Sequence, residues 1–345
     1  MSPSEQHHHP DDHAPQTSLY GRAKKLVHGH SHDHSASLDE VAATGEGMRA
    51  LKVSLVGLAA TALLQLLVYS FSGSVALLAD TVHNFSDALT AVPLGFAFWL
   101  GRRQPTSRYT YGYGRAEDLA GIFIVGMIAA SAAFAGWESV HRLLDPEPVR
   151  NVGWVMAASI IGFAGNELVA VYRIRTGRRI GSAALVADGL HARADGLTSL
   201  AVLAGAVGVA LGFPLADPLV GLAITVAILF VLRSAARDIY RRLMDAVDPR
   251  LVDDIRTVLE ATPGVESVES IRVRWIGHAL RTEIAIGCDP ALALAAAHEV
   301  ATTAHHRLLH DIARLAEATI HVSPNGEEHH APLAHHFPDR VQRGA

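Results

Sequence analysis

The chain has 345 residues, half of them hydrophobic, with few aromatics. A formal net charge of −5 with histidine neutral supplies no basic field, so a nucleic-acid partner is excluded. The single cysteine, Cys288, excludes an intrachain disulfide framework and fits a reducing compartment on at least one side.

The first 34 residues are polar and lack the apolar core of a signal peptide, yet they hold eight of the 21 histidines. They include His7-His8-His9 and the spaced run His28-Gly29-His30-Ser31-His32-Asp33-His34. On a flexible chain His28, His30, His32 and His34 can wrap one ion, so residues 1–48 read as a disordered, metal-capturing tail. Residues 324–345, with His329, His330, His335 and His336, read as a second disordered tail.

Between the tails, six apolar stretches can each cross ~30 Å of hydrocarbon at ~1.5 Å per residue. They are Leu51–Phe71, Val75–Leu100, Leu119–Gly136, Val152–Tyr172, Ala183–Leu211 and Leu215–Leu232, so residues 49–240 form a six-helix transmembrane domain. Their Ala, Leu, Val and Gly content suits helices packed closely in a lipid bilayer. Basic residues cluster in alternate connections: Arg22, Lys24 and Lys25; Arg102, Arg103, Arg108 and Arg115; Arg173, Arg175, Arg178 and Arg179; Arg233, Arg237, Arg241 and Arg242. The opposite connections carry only Arg142 and Arg150. The positive-inside rule then places both termini in the cytoplasm, as an even number of spans requires, and suggests the inner (plasma) membrane.

Residues 245–323 have a different pattern. Leu251, Ile255, Val258 and Leu259 repeat at helical spacing and stop at Thr262-Pro263-Gly264. Ser270–Trp275 and Arg281–Gly287 alternate as strands around Ile276-Gly277-His278, Ala291–Leu309 reads as a helix and Ala318–Val322 as a last strand. This order predicts a cytoplasmic α+β, ferredoxin-like domain.

One polar pattern occurs twice inside the apolar stretches. Asp80, His83 and Asp87 in the second span have the same spacing as Asp188, His191 and Asp195 in the fifth. At about 100° per residue, each set falls on one helical stripe. Ionisable groups at membrane depth are costly and usually mark an ion or proton path. His83, Asp87, His191 and Asp195 form a two-nitrogen, two-oxygen set suited to tetrahedral Zn²⁺. Mg²⁺ and Ca²⁺ prefer all-oxygen sites, whereas Co²⁺, Cd²⁺, Ni²⁺ and Fe²⁺ remain alternatives. Two carboxylates and a divalent ion sum to zero charge, so protons are the natural replacement when the metal leaves, and alternating access would give metal–proton antiport. Asp80, Asp188 and Asn84 are read as supporting groups or as lining the access path. Gln65, Asn166 and Glu167 are read as interhelical hydrogen-bonding groups.

Two other classes fit the sequence poorly. An intramembrane metalloprotease would want a Glu base, as in His-Glu-x-x-His, and no such motif occurs. A membrane-anchored metal sensor would not need two carboxylate stripes in lipid.

The chain resembles the cation diffusion facilitator family from about Leu51 to Ser323. The resemblance rests on the two spans just described, on Tyr111-Gly112-Tyr113-Gly114-Arg115-Ala116-Glu117, on Glu138-Ser139-Val140-His141-Arg142-Leu143, and on Pro146-Glu147-Pro148. It implies a homodimer and proton-coupled export of divalent metal from the cytoplasm, with the metal as cargo and no cofactor. The paired His-x-x-x-Asp form is similar to the zinc-transporting branch. Tyr109 and Tyr113 stand where some members carry metal-binding histidines, and Ala285 and Ser323 where some carry a His and an Asp. His298 and His321 do match, with His278 nearby, so these three form a candidate cytoplasmic metal set.

Overall fold

The structure is a computed structural model that describes residues 34–72, 91–145, 152–213 and 215–326. Helix α1 covers His34–Ser72, α2 is described over Ala91–Gly101, and α3 covers Arg115–Leu144. Helices α4 (Val152–Ile180), α5 (Ala183–Ala210) and α6 (Ala216–Leu243) complete the helical part. Five of these, with apolar portions of 27 to 30 residues, are long and apolar enough to cross a membrane. Most of the expected second span, with its Asp-x-x-His-x-x-x-Asp copy, lies outside the described residues; only its final helical portion, α2, is seen.

These helices solve two problems of an apolar solvent. Outward faces carry large apolar side chains, such as Leu63, Phe134, Leu168 and Phe230. Short hydroxyl groups satisfy themselves within their own helix: Ser139 and Thr198 donate to the carbonyls of Ala135 and Ala194, at 2.7 and 3.1 Å. The inward faces of α1, α2, α3, α5 and α6 share a core built around Leu94, Phe98, Ile124, Ile128, Leu185 and Ile228. Helix α4 lies along α5, and the two are joined by Gly181-Ser182, where the Ser182 hydroxyl caps α5 by accepting from Leu185 N at 3.0 Å.

Helix ends differ from the sequence expectation in one consistent direction. Arg115 begins α3; Arg173, Arg175, Arg178 and Arg179 lie within α4, and Arg241 and Arg242 in the last turn of α6. Hydropathy stops at the first charge, but backbone hydrogen bonding does not, and a basic last turn favours the helix dipole. At the N-terminal side, α1 already covers 34–48, a stretch read as tail; Thr44 and Gly47 are buried there, and Gly47 touches Phe98 of α2.

The C-terminal domain runs α7 (Pro249–Glu260), β1 (Ser267–Ile276), β2 (Ala279–Cys288), α8 (Leu294–Asp311) and β3 (Leu315–Pro324). Asp248 caps α7, accepting from Arg250 N at 3.0 Å. The sheet order is β1-β2-β3, antiparallel in the first pair and parallel in the second. Ile255 and Leu259 of α7 and Ala304 and Leu308 of α8 close its core over Ile284 and Ile286. Cys288 ends β2 in that core, where burial, with the charge of Glu266 adding, pushes its thiol above the usual range. Maleimide labelling at neutral pH is therefore expected to be slow in the folded chain and complete only after denaturation; rapid native labelling would refute this placement.

Candidate functional site

Helix α5 begins with Ala183 and buries much of its surface on small residues, Ala184, Ala187, Gly189, Ala192, Ala194 and Gly196. Small residues let its backbone approach α4 and enclose the polar stripe between neighbours. Asp188 is 0% exposed, His191 1% and Asp195 4%. All three lie in a helix of membrane-crossing length, and each is placed there by the offsets three and four.

His191 Nδ1 lies 3.7 Å from Asp195 Oδ2. That is too long for a hydrogen bond. A tetrahedral ion bound to both atoms at ~2.0–2.2 Å would hold them about 3.4 Å apart, so a small adjustment brings this pair to one metal. His83 and Asp87, with Asp80 and Asn84, lie outside the described residues. Among the described residues no three His, Cys, Asp or Glu side chains converge as a metal-holding group, so α5 shows two of the four expected ligands.

Asp188, on the same stripe, faces a different partner. Arg173 Nη1 of α4 lies 3.0 Å from Asp188 Oδ2, and the arginine is only 1% exposed. By sequence Arg173 falls in a connecting loop, and it is instead the largest fully buried side chain among the described residues. The available signal was the absence of a helix breaker from Arg173 to Ile180, apart from Gly177, which a helix tolerates. Glu167 of α4, expected to bond between helices, does so with a partner the sequence did not single out: Arg193 of α5 donates Nε and Nη2 to its two carboxylate oxygens, at 3.1 and 2.7 Å. Gln65 of α1 is buried and donates to the Ala158 carbonyl at 3.4 Å, and Asn166 is buried beside Gly196.

The three candidate cytoplasmic ligands are not brought together. His278 sits in the β1–β2 turn, whereas His321 pairs beside Ala285, six residues along β2, or about 20 Å at ~3.3 Å per residue. His298 is exposed on α8, and His321 is also exposed. Ser323 donates to Glu269 at 3.5 Å, and the Tyr109 and Tyr113 rings pack 4.9 Å apart. Of the tail histidines, His28, His30 and His32 lie outside the described residues, and His34 is the first residue of α1.

His278 does something else. Its Nδ1 is 2.9 Å from Glu117 Oε2 of α3, and its Nε2 is 3.2 Å from the Thr44 hydroxyl of α1. Phe98 of α2 meets the ring edge-on. Gly277 makes the turn at φ +61, and a side chain there would meet the carbonyl of Gly114, the residue before α3, at 3.0 Å. Arg242, at the end of α6, donates to the Gly277 carbonyl at 2.7 Å and stacks over Trp275 at 4.0 Å. The hairpin tip is thus a plug that joins the C-terminal domain to the helical domain. His278→Ala leaves Glu117 and Thr44 without this buried partner and is expected to cost about 1–3 kcal/mol. A lower thermal midpoint and faster proteolysis at residues 244–248 would show it; unchanged proteolysis would refute the plug.

Two family models match the chain. The cation efflux transmembrane domain matches residues 51–244, and the cytoplasmic domain of cation efflux proteins matches residues 247–325. A protein of Mycobacterium tuberculosis (strain ATCC 25618 / H37Rv), named as a probable cation efflux system protein, is 56% identical over 314 residues, 91% of this chain and 95% of that protein. The cation-efflux pump FieF of Serratia proteamaculans (strain 568) is 30% identical, covering 79% of this chain and 93% of the pump. Metal tolerance protein 2 of Oryza sativa subsp. japonica is 28% identical, covering 80% and 76%. With membrane and cytoplasmic parts matched in turn from residue 51 to residue 325, this chain belongs to the cation efflux family, the cation diffusion facilitators: it is an integral-membrane cation transporter and not an enzyme, and metal ions are its cargo.

Proposed function

We propose that the protein exports Zn²⁺ from the cytoplasm in exchange for protons. The observation that carries this reading is the buried His191–Asp195 pair inside a membrane-length helix of a cation efflux transporter. The repeat of the same spacing at His83 and Asp87 supplies the other two ligands, giving a neutral four-ligand site when the ion is bound. When the ion leaves, two carboxylates at low dielectric take up protons, and the site titrates as a coupled unit. Co²⁺, Cd²⁺, Ni²⁺ and Fe²⁺ are the competing cargoes, since nitrogen–oxygen sites separate these ions weakly.

Six spans with both ends in the cytoplasm, in the inner (plasma) membrane, complete the reading. The alternation of basic helix ends and the cytoplasmic-domain match support it. Two helices on a three-stranded sheet are consistent with a ferredoxin-like domain. A homodimer is supported because the matched cytoplasmic module is a dimerisation domain. His28, His30, His32 and His34 serve metal capture at the cytoplasmic entrance, while residues 1–33 and 327–345 carry no described structure.

Purified protein in proteoliposomes is expected to move Zn²⁺ when a pH gradient is imposed and to stop when an ionophore collapses it. Flux that ignores the gradient would remove the proton-exchange reading. A panel of Zn²⁺, Cd²⁺, Co²⁺, Ni²⁺ and Fe²⁺ in the same assay ranks the cargo.

A further inference from the structure

We infer that Arg173 determines metal preference by neutralising Asp188, so that only Asp195 contributes a full negative charge from α5 to the transport site. This rests on the reading of His191 and Asp195 as ligands. Asp188 stands one turn before His191 on the same stripe, about 4.5 Å along the axis at ~1.5 Å per residue. Held by Arg173, this carboxylate does not converge with His191 and Asp195; without the arginine, a carboxylate one turn away has the chemistry of an extra hard oxygen ligand. Arg173, from α4, holds it at 3.0 Å.

The surroundings make that contact electrostatically decisive. Arg173 and Asp188 are 1% and 0% exposed, so no bulk water screens them. Helices α4 and α5 approach closely beside this pair, where Gly189 lies against Ile174 and the Ala170 carbonyl. The contact is close but not aligned as a hydrogen bond, and Arg173 Nε and Nη2 meet no acceptor among the described residues. A strut whose only task was to join two helices would be less costly as an apolar contact, because burying an ion pair usually costs more than its attraction returns. A poorly satisfied buried arginine is worth keeping where its charge is needed, and the charge it cancels is one turn from the metal site.

The chemical consequence is selectivity. A site of two imidazoles and two carboxylates suits Zn²⁺, whereas an added carboxylate favours harder, higher-coordinate ions such as Mn²⁺. The test compares Zn²⁺ and Mn²⁺ flux in proteoliposomes for Arg173→Gln, Asp188→Asn and the double variant. Arg173→Gln is expected to lower the Zn²⁺-to-Mn²⁺ flux ratio at least tenfold. The double variant, with both charges gone, is expected to return within about twofold of the native ratio. Asp188→Asn leaves the arginine's charge uncompensated and is expected to raise KM for both metals about tenfold, with the double variant restoring it. Equal loss for both metals in Arg173→Gln, with the Zn²⁺-to-Mn²⁺ ratio unchanged, would make the pair a strut and overturn the inference. If Arg173→Gln does not fold, KM in Asp188→Asn against the double variant decides: recovery supports the inference, and no recovery overturns it. Asp195→Ala, run alongside, separates the two levels. Normal flux in that variant overturns the ligand reading itself, whereas lost flux with an unchanged metal ratio in the Arg173 and Asp188 variants overturns only this inference.

Discussion

Asp195→Ala is expected to abolish proton-driven Zn²⁺ flux while leaving the folded protein in the membrane. The carboxylate is 4% exposed and supplies one of two oxygen ligands in the proposed set, so its loss leaves three ligands and a net positive charge when a divalent ion is bound. Alanine removes volume and a buried polar group together, which keeps the fold intact among the small residues of α5. Equilibrium Zn²⁺ binding and flux are expected to fall together in this variant, because in the proposed site the same atoms hold the ion and exchange the protons. Flux above about a tenth of native would remove Asp195 from the site. Asp195→Asn distinguishes the two tasks: it retains an oxygen ligand of similar shape but cannot take a proton, so residual binding without pH-driven transport is expected.

Gly189→Val is expected to damage both stability and transport, although residue 189 holds no metal. A Cβ at this position would lie 2.7 Å from Ile174 Cγ1, 3.0 Å from Ile174 N and 3.1 Å from the Ala170 carbonyl oxygen. Two of those contacts are backbone atoms of α4, which cannot rotate away, so α4 and α5 must separate. Overpacking of this kind costs about 1–3 kcal/mol, and the displacement falls between Asp188 and His191, beside the proposed ligand His191. A lower thermal midpoint in detergent with reduced flux is the expected result, and Gly189→Ala should show a milder form of both. A native midpoint in Gly189→Val would mean that α4 and α5 are not packed as closely here as described.

Much of this protein is readable from periodicity and charge. Length and apolar content mark the membrane helices, and five are present with a helical piece of the sixth candidate. The strand alternation around Gly277 and the helical spacing of Leu251, Ile255 and Leu259 give the elements of the C-terminal domain in the right order. Offsets of three and four placed Asp188, His191 and Asp195 on one buried stripe, because helical geometry depends on sequence distance alone.

Partners could not be read in this way. His278 resembled a metal ligand, yet the turn carries it against Glu117, 161 residues away, and Thr44, 234 residues away. Arg173 resembled a loop charge because hydropathy averages over a window, whereas burial depends on which helix lies opposite. Glu167 is marked by sequence as an interhelical hydrogen-bonding group, but its partner Arg193 appears only when α4 lies along α5. The sequence by itself determined which residues share a helix face, and hence that His191 and Asp195 lie together on one buried stripe. Only the tertiary structure decided which charges are cancelled, since compensation depends on distances of a few ångströms across a low-dielectric interior between residues far apart in the chain.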